Sequence, residues 1–140
     1  MRFWDASAIV PLLLPESSSA RMTASYRDDD SVVVWWGTEV ECTSGIVRRL
    51  REGLPPAIAD RALATLALFG TEWRTIAPSV TLRDDAIRLL KAHPLRAADA
   101  LQLAAAMAPA PNSPNRLPFV TLDRRLADAA QREGFTVIGF

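Results

Sequence analysis

The sequence predicts an α/β fold in which a mainly parallel central sheet is flanked by helices. Short runs of β-branched and aromatic residues alternate with longer stretches of helical period along the chain. Strands separated by helices in this way pair in parallel, because each crossover returns the chain to the same edge of the sheet. With 140 residues, 49% of them hydrophobic, the chain can bury one core, and we expect a single domain over residues 1–140.

Each predicted element is supported by its composition and its flanking residues. Valine-rich and aromatic segments predict strands, alanine- and leucine-rich segments predict helices, and glycine and proline separate them. In chain order we expect a strand at 3–4, helices at 6–14 and 17–26, a strand at 31–35, helices at 38–53 and 56–69, a strand at 74–77, helices at 80–92 and 95–107, a loop at 109–118, a strand at 117–122, a helix at 124–133 and a strand at 134–138.

Polar residues at the helix starts are expected to act as caps. The serines at 17–19 would cap the second helix and Thr38 the third, on which Arg48 and Arg49 would point outward. His93 precedes a proline, which disfavours helical geometry. Because a lone loop histidine is more often a surface residue than a catalytic base, we expect His93 to be exposed.

Charge and cysteine content exclude little and favour a reducing compartment. Sixteen basic and sixteen acidic residues give a formal net charge of zero, so charge alone predicts neither a nucleic-acid nor a membrane partner. The single cysteine, Cys42, excludes an internal disulfide. No apolar stretch is long enough to span a bilayer, and we expect a cytoplasmic protein that does not bind membranes.

Four carboxylates lie in unusually apolar sequence surroundings. Asp5 and Asp123 each follow a strand and precede a helix, which places them at the carboxyl edge where parallel sheets bind ligands. Glu41 and Asp99 lie within predicted helices, where an unpaired acid is costly to bury. Since no lysine or histidine accompanies the four acids, we expect them to converge on a metal ion. For Asp5 alone, a helix cap assisted by Ser7 explains the position equally well.

The segments around these acids resemble the acidic blocks of PIN-domain ribonucleases. The four blocks are Phe3-Trp4-Asp5-Ala6-Ser7-Ala8, Glu41-Cys42-Thr43-Ser44, Arg96-Ala97-Ala98-Asp99-Ala100-Leu101-Gln102-Leu103-Ala104 and Phe119-Val120-Thr121-Leu122-Asp123-Arg124-Arg125-Leu126. The order and spacing of the blocks carry the resemblance, which spans nearly the whole chain. The VapC toxins of bacterial toxin-antitoxin pairs are the most similar group.

This resemblance implies a PIN-like three-layer sandwich with the activity of a metal-dependent endoribonuclease. Such a protein hydrolyses RNA with Mg²⁺ or Mn²⁺, is held inactive by a cognate antitoxin and forms a homodimer. The positions that match the family's catalytic and metal-binding acids are Asp5, Glu41, Asp99 and Asp123, and those that match its flanking hydroxyl groups are Ser7 and Thr121.

Two positions near the acids need separate comment. Glu39 lies two residues before Glu41 and would face elsewhere on a helix, so Glu41, followed by Thr43 and Ser44, is the preferred match. Gln102 departs from the family's usual residue, and we expect it to touch the rim of the site rather than its metal ligands.

The coordination chemistry of magnesium supports metal-dependent RNA hydrolysis independently of the resemblance. Magnesium needs only a few carboxylates, because it keeps several waters and accepts a substrate phosphate oxygen. A metal-activated water that attacks phosphorus leaves 5'-phosphate and 3'-hydroxyl ends. Recovery of a 2',3'-cyclic phosphate as the main product would contradict this mechanism.

Two other functions share part of the pattern. A receiver domain or a Mg²⁺-dependent aspartate phosphatase also carries an aspartate after its first strand, but it needs a lysine near the site. The only lysine, Lys91, lies in a predicted helix without that context. The second alternative is a non-catalytic PIN-like binding module with remnant acids, which a folded sample that binds neither Mg²⁺ nor Mn²⁺ would favour.

Apolar residues outside the acidic blocks are assigned by their context. The leucines at 12–14 belong to a helix beside the sheet, so we expect them in the core. Trp36 follows the end of a strand and precedes Gly37, so we expect it to be exposed. An exposed tryptophan is a candidate anchor for a partner, and we expect the antitoxin to cover this region and to place a basic side chain near the acids.

Overall fold

The computed structural model describes residues 1–110 and 116–140, and it confirms the predicted α/β class. One sheet contains the strands β1 (Arg2–Trp4), β2 (Val32–Trp35), β3 (Arg74–Ile76), β4 (Phe119–Val120) and β5 (Val137–Ile138). The helices of the described residues are α1 (Ala6–Leu13), α2 (Ser19–Asp28), α3 (Thr38–Arg51), α4 (Pro56–Glu72), α5 (Val80–Ala92), α6 (Ala97–Met107) and α7 (Arg124–Arg132). None of these helices is long and apolar enough to cross a membrane.

The order of the strands creates a crevice in the middle of the sheet. The strands lie in the order β3-β2-β1-β4-β5, and every described pair is parallel. The chain therefore winds outward from β1 to β3 on one side and then returns past β1 to form β4 and β5 on the other. Where the winding reverses, between β1 and β4, the following helices separate and leave a crevice at the carboxyl ends of the strands.

Alternate strand residues pack into two separate cores, one on each face of the sheet. Phe3, Val33 and Phe119 face α5, α6 and α7, and the rings of Phe3 and Phe119 stack with centroids 5.3 Å apart. Trp4 and Val34 face the layer of α1, α2, α3 and α4. This arrangement confirms the predicted sandwich of helices, sheet and helices. The leucines at 12–14 belong to the second core, as expected.

The capping roles predicted for two helix starts differ in the structure, because the polar side chains there have other partners. The second helix starts at Ser19, and Ser18, one of the predicted serines, occupies its N-cap without a side-chain cap hydrogen bond. The Ser19 hydroxyl accepts the N–H of Glu16 at 2.8 Å and donates to the Leu14 carbonyl at 2.9 Å. Ser19 therefore closes a turn rather than capping the helix. Gly37, not Thr38, occupies the N-cap of α3, and Thr38 is a buried first residue of that helix.

The side chain of His93 is buried rather than exposed, which corrects the expectation for a loop histidine. Its side chain is 7% exposed, and Nε2 lies 2.7 Å from Oε1 of Glu133. Arg88 also binds both carboxylate oxygens of Glu133. This cluster ties the end of α5 to the end of α7. The predicted loop at 109–118 lies partly outside the described residues, and its segment 111–115 is not described.

The remaining differences concern the lengths of the elements. The sheet strands β4 and β5 have two residues each, which makes both shorter than the apolar runs from which they were predicted. Helix α4 extends three residues past the predicted end at 69, and α6 begins two residues after the predicted start at 95. Such shifts are common, since end residues are held by only part of the hydrogen-bond pattern.

Gly139 holds the chain after β5 against the chain after β4, and its replacement should destabilise the fold. Its φ is +139°, and a Cβ there would overlap the carbonyl oxygen of Thr121. Gly53, with φ +108° and no atom within 4 Å of its Cβ position, is the matched control. Both alanine variants carry left-handed strain of about 1 kcal/mol. We expect Gly139→Ala to lose about 1 to 3 kcal/mol more in urea unfolding, because the backbone of Thr121 must move. Equal losses in the two variants would contradict this account.

Candidate active site

The four acids singled out in the sequence line one cavity of about 200 Å³ at the reversal point of the sheet. The complete lining consists of Asp5, Ala6, Ser7, Val10, Glu41, Gly45, Arg48, Asp99 and Asp123. Two of the acids are the N-caps of α1 and α7, one lies in the first turn of α3, and one lies in the first turn of α6. Four separate elements thus contribute one carboxylate each.

Asp5 is the most deeply buried acid of the described residues, with 4% of its surface exposed. Its Oδ1 accepts the backbone N–H of Ser7 at 3.1 Å, which caps α1. Its Oδ2 accepts the hydroxyl groups of Ser7 and Thr121, each at 2.5 Å. Asp5 is therefore a helix cap assisted by Ser7, as one interpretation predicted, and it also borders the cavity.

The two hydroxyl groups that bind Asp5 are themselves held by the chain after β4. The Ser7 oxygen accepts the N–H of Leu122 at 2.8 Å, and the Thr121 oxygen accepts the N–H of Asp123 at 3.0 Å. Thr121 lies behind Asp5 and is fully buried, whereas Ser7 lines the cavity. These contacts connect the carboxyl ends of β1 and β4 and fix the distance across the crevice.

Glu41 reaches the cavity from α3 and is held by a neutral amide. Nε2 of Gln102 donates to Oε1 of Glu41 at 3.1 Å, and the Gln102 side chain also bonds the hydroxyl of Thr38 at 3.3–3.4 Å. Gln102 is fully buried, so it lies inside the site and not at its rim, which corrects the expectation for this residue. Glu39 instead lies over Gly70 of α4 and does not line the cavity.

Asp99 and Asp123 are positioned by backbone N–H groups at helix starts. The backbone N–H of Arg96 donates to Oδ2 of Asp99 at 3.3 Å. Asp123 caps α7 through the N–H of Leu126, which donates to Oδ1 at 3.0 Å. Negative charge at a helix start is favourable, because the helix dipole and free N–H groups point toward it.

Burial is the main cause of the altered acidity of this site. Burial raises the pKa of Asp5 despite the hydrogen bonds from Ser7 and Thr121 that act in the opposite direction. Burial, followed by the charges of Asp5 and Asp99 and opposed by the Gln102 hydrogen bond, raises the pKa of Glu41 to about 7.

The same cause acts on Asp99. Its pKa is raised by burial and by the charge of Asp123, while Arg96 and Arg125 oppose the rise. Raised pKa values of this origin mean that the ionised carboxyl groups lack full compensation by solvent or by a cation.

The donor set fits a hydrated divalent cation. Within residues 1–110 and 116–140, no three histidine, cysteine or acidic side chains form a ready-made metal cluster. Magnesium does not require one, because it binds through one or two carboxylates and retains several waters. The buried Asp5 carboxylate has only neutral donors as partners, and a cation in the cavity would supply the missing compensation. The residues present therefore fit Mg²⁺ or Mn²⁺.

One residue of the cavity, Arg48, was assigned differently from the sequence. Arg48 was expected to point outward, but it lines the cavity, seven residues and two helical turns after Glu41. Helical spacing from Glu41 is the signal that identifies Arg48, and spacing from Asp99 on α6 identifies Gln102 in the same way.

Comparison with solved structures shows that this fold is a known one. A toxin-antitoxin complex from Klebsiella pneumoniae matches with a TM-score of 0.67 and 17% identity, covering 99% of this chain and 96% of that chain. PAE2754 from Pyrobaculum aerophilum matches with a TM-score of 0.65 and 20% identity, covering 97% and 82%. FitAcB from Neisseria gonorrhoeae matches with a TM-score of 0.65 and 16% identity, covering 99% and 96%. No protein-family model and no curated protein sequence matches the chain.

Removal of the Glu41 charge should stabilise the protein at alkaline pH. Since the folded-state pKa of Glu41 is raised from 4.5 to about 7, folding is favoured below pH 4.5, and this stability is lost as the pH rises to about 7. Glu41→Gln keeps an oxygen that can accept the Gln102 hydrogen bond. In chelator we expect it to melt near the parent at pH 4 and roughly 3 °C higher at pH 8, a modest gain because Glu41 is only partly buried.

The control for this measurement is Glu39→Gln, on the same helix but outside the cavity. It should keep the parental difference in melting temperature between pH 4 and pH 8. If Glu41→Gln keeps that difference too, Glu41 does not carry the cost of an uncompensated charge.

Proposed function

We propose that the chain is the toxin of a toxin-antitoxin pair and that it hydrolyses RNA as a Mg²⁺- or Mn²⁺-dependent endoribonuclease that acts as a homodimer. The observation that carries the proposal is the convergence of four carboxylates from four elements on one cavity at the reversal point of the sheet. One structure with a similar fold is a toxin-antitoxin complex from Klebsiella pneumoniae. The sequence blocks that resemble PIN-domain ribonucleases contain the same four acids.

The proposed metal-binding residues are Asp5, Glu41, Asp99 and Asp123, some of them acting through water. A divalent cation held there supplies Lewis acidity at a phosphate oxygen and makes a nucleophile available from water. Ser7 and Thr121 orient the Asp5 carboxylate, and Gln102 orients Glu41. Because these hydrogen bonds fix the carboxylates before substrate arrives, little reorganisation is needed in the transition state.

The proposed reaction is hydrolysis of a phosphodiester. The oxygen of water forms a bond to phosphorus, the bond from phosphorus to the 3'-oxygen breaks, and the leaving oxygen takes up a proton. The products carry 5'-phosphate and 3'-hydroxyl ends. The ribose 2'-hydroxyl takes no part, so no cyclic phosphate forms.

The alternative functions have less support. Lys91 is an exposed residue in the last turn of α5 and does not line the cavity, whereas a receiver or aspartate phosphatase needs its lysine at the site. A non-catalytic binding module would have no need for three acids, Asp5, Glu41 and Asp99, whose ionisation is opposed by burial. Calorimetric titration with Mg²⁺ and Mn²⁺ separates the module from the nuclease.

Asp99→Asn should abolish cleavage while it stabilises the metal-free protein. The amide keeps the shape and an acceptor for the Arg96 N–H, but it removes a charge whose burial is unfavourable. We expect RNA cleavage to fall by about 10² to 10³. We also expect a higher melting temperature in chelator and a smaller gain from added magnesium, because a ligand stabilises only the state that binds it.

Asp60→Asn, at an exposed position of α4, is the matched control and should behave as the parent in both assays. Sequencing of the RNA ends identifies the cleavage sites and tests the 5'-phosphate and 3'-hydroxyl products. If Asp99→Asn melts lower in chelator and still cleaves RNA, Asp99 is a structural acid and the proposed site is wrong.

Trp36 is the proposed anchor for the antitoxin. As expected, it is exposed, at 62%, and its ring packs edge-on against Trp35 with centroids 6.3 Å apart. Its backbone N–H donates to the Ile76 carbonyl at 3.0 Å, so the backbone that carries the exposed ring is held in place by a hydrogen bond. A rigid exposed aromatic side chain loses little entropy when it binds. A basic antitoxin side chain nearby would compensate the acids.

The Trp36→Ala variant should bind the purified cognate antitoxin about tenfold or more weakly in calorimetry. Leu68→Ala is the control, because Leu68 is also an apolar residue, 70% exposed, on another part of the surface. If the two variants bind the antitoxin with equal affinity, Trp36 is not part of the antitoxin interface.

A further inference from the structure

Three arginines from three separate elements stand around the acidic cavity. Arg48 lines it from α3, two turns beyond Glu41. Arg96 is the N-cap of α6 and gives its backbone N–H to Asp99. Arg125 lies in the first turn of α7, two residues after the cap Asp123. All three are exposed, and the charges of Arg96 and Arg125 act on Asp99, so basic groups lie beside an acidic floor.

Several other arginines of the protein are engaged in ion pairs with acidic side chains. Arg2 binds Asp28, Arg49 binds Glu16, and Arg88 binds Glu133. Within the described part of the chain, no such pair involves the three arginines around the cavity.

Arg48 is the clearest case. It shares a cavity with four carboxylates and pairs with none of them within the described residues. The charges of Arg96 and Arg125 act on Asp99, but no ion pair within the described residues holds the guanidinium group of any of the three arginines, so each can bind a ligand.

We infer that Arg48, Arg96 and Arg125 form a phosphate-binding rim that holds the RNA phosphates flanking the scissile one. This inference rests on the proposed nuclease function and adds the residues that bind the strand. The acidic floor repels a polyanion, and the chain has no net charge that would attract one. The attraction for RNA must therefore come from positively charged side chains that lie beside the acidic floor.

The chemistry of the three side chains suits a nucleic-acid backbone. Guanidinium groups bind phosphate oxygens in a bidentate manner and stay charged at every physiological pH. A single strand carries phosphates at regular intervals, so one can lie over the acids while its neighbours contact the rim. An acidic peptide lacks this regular spacing of charges. The rim therefore fits an RNA strand best.

The test measures binding of a short, unstructured, fluorescently labelled RNA by anisotropy over a range of NaCl concentrations. The Asp99→Asn background keeps the RNA intact during the titration. We expect Arg48→Ala, Arg96→Ala and Arg125→Ala each to bind roughly three- to tenfold more weakly. Each loss of a phosphate contact should also reduce the salt slope of log affinity by about 0.7, the value for single strands.

Two further variants control for folding and for general charge loss. Arg48→Lys should keep the salt slope, because it retains the charge, but bind more weakly, because it loses the bidentate contact. Arg61→Ala removes an exposed arginine of α4, away from the cavity, and should bind as the background does. The melting temperature of every variant is recorded beside its affinity.

The outcomes separate this inference from the nuclease proposal. If the parent cleaves RNA but the rim variants bind RNA like Arg61→Ala, the inferred phosphate-binding rim is wrong and the proposed nuclease function is supported. If the parent leaves RNA intact in magnesium while the rim variants lose affinity and salt slope, the rim is supported and the nuclease fails. Rim variants that bind RNA normally and lose affinity only for the antitoxin would overturn the inference in favour of a protein-docking role.

Discussion

The structure of the site depends on one constraint, the burial of the Asp5 carboxylate between β1 and β4. A carboxylate that is 4% exposed must have its oxygens bonded, and three donors from Ser7 and Thr121 bond them. Because Thr121 lies after β4, this requirement links the two strands at which the winding of the sheet reverses. Gly139 in turn allows the chain after β5 to approach Thr121 closely. The fold and the site are therefore stabilised by the same contacts.

Much of this arrangement follows from the order of elements in the sequence. Asp5 and Asp123 each follow a strand, and the ends of parallel strands lie at one edge of the sheet, so their proximity could be predicted. The acids on α3 and α6 could be identified because they interrupt apolar stretches. Each of these predictions needed only local pattern and the rule that strands joined by helices run parallel.

The parts that the sequence did not reveal depend on contacts between distant residues. Gln102 was expected at the rim, yet it is buried because α6 packs where its amide meets Thr38 and Glu41, 64 and 61 residues away. His93 was expected on the surface, yet Glu133, 40 residues later, makes its burial favourable. The rotation of a helix about its axis is set by what it packs against, and a single sequence contains no direct signal for that.

The choice of neutral partners for the buried acids is consistent with a site that binds a cation. A lysine or arginine in place of Gln102 would pair with Glu41, lower its pKa and occupy the charge that a metal would otherwise compensate. Hydroxyl and amide donors instead orient the carboxylates while leaving their charge uncompensated. The folded protein then carries an electrostatic cost in the absence of a ligand, and that cost becomes binding free energy when a cation enters. Under the proposed metal-dependent function, neutral donors would therefore orient the carboxylates without competing with the cation for their charge.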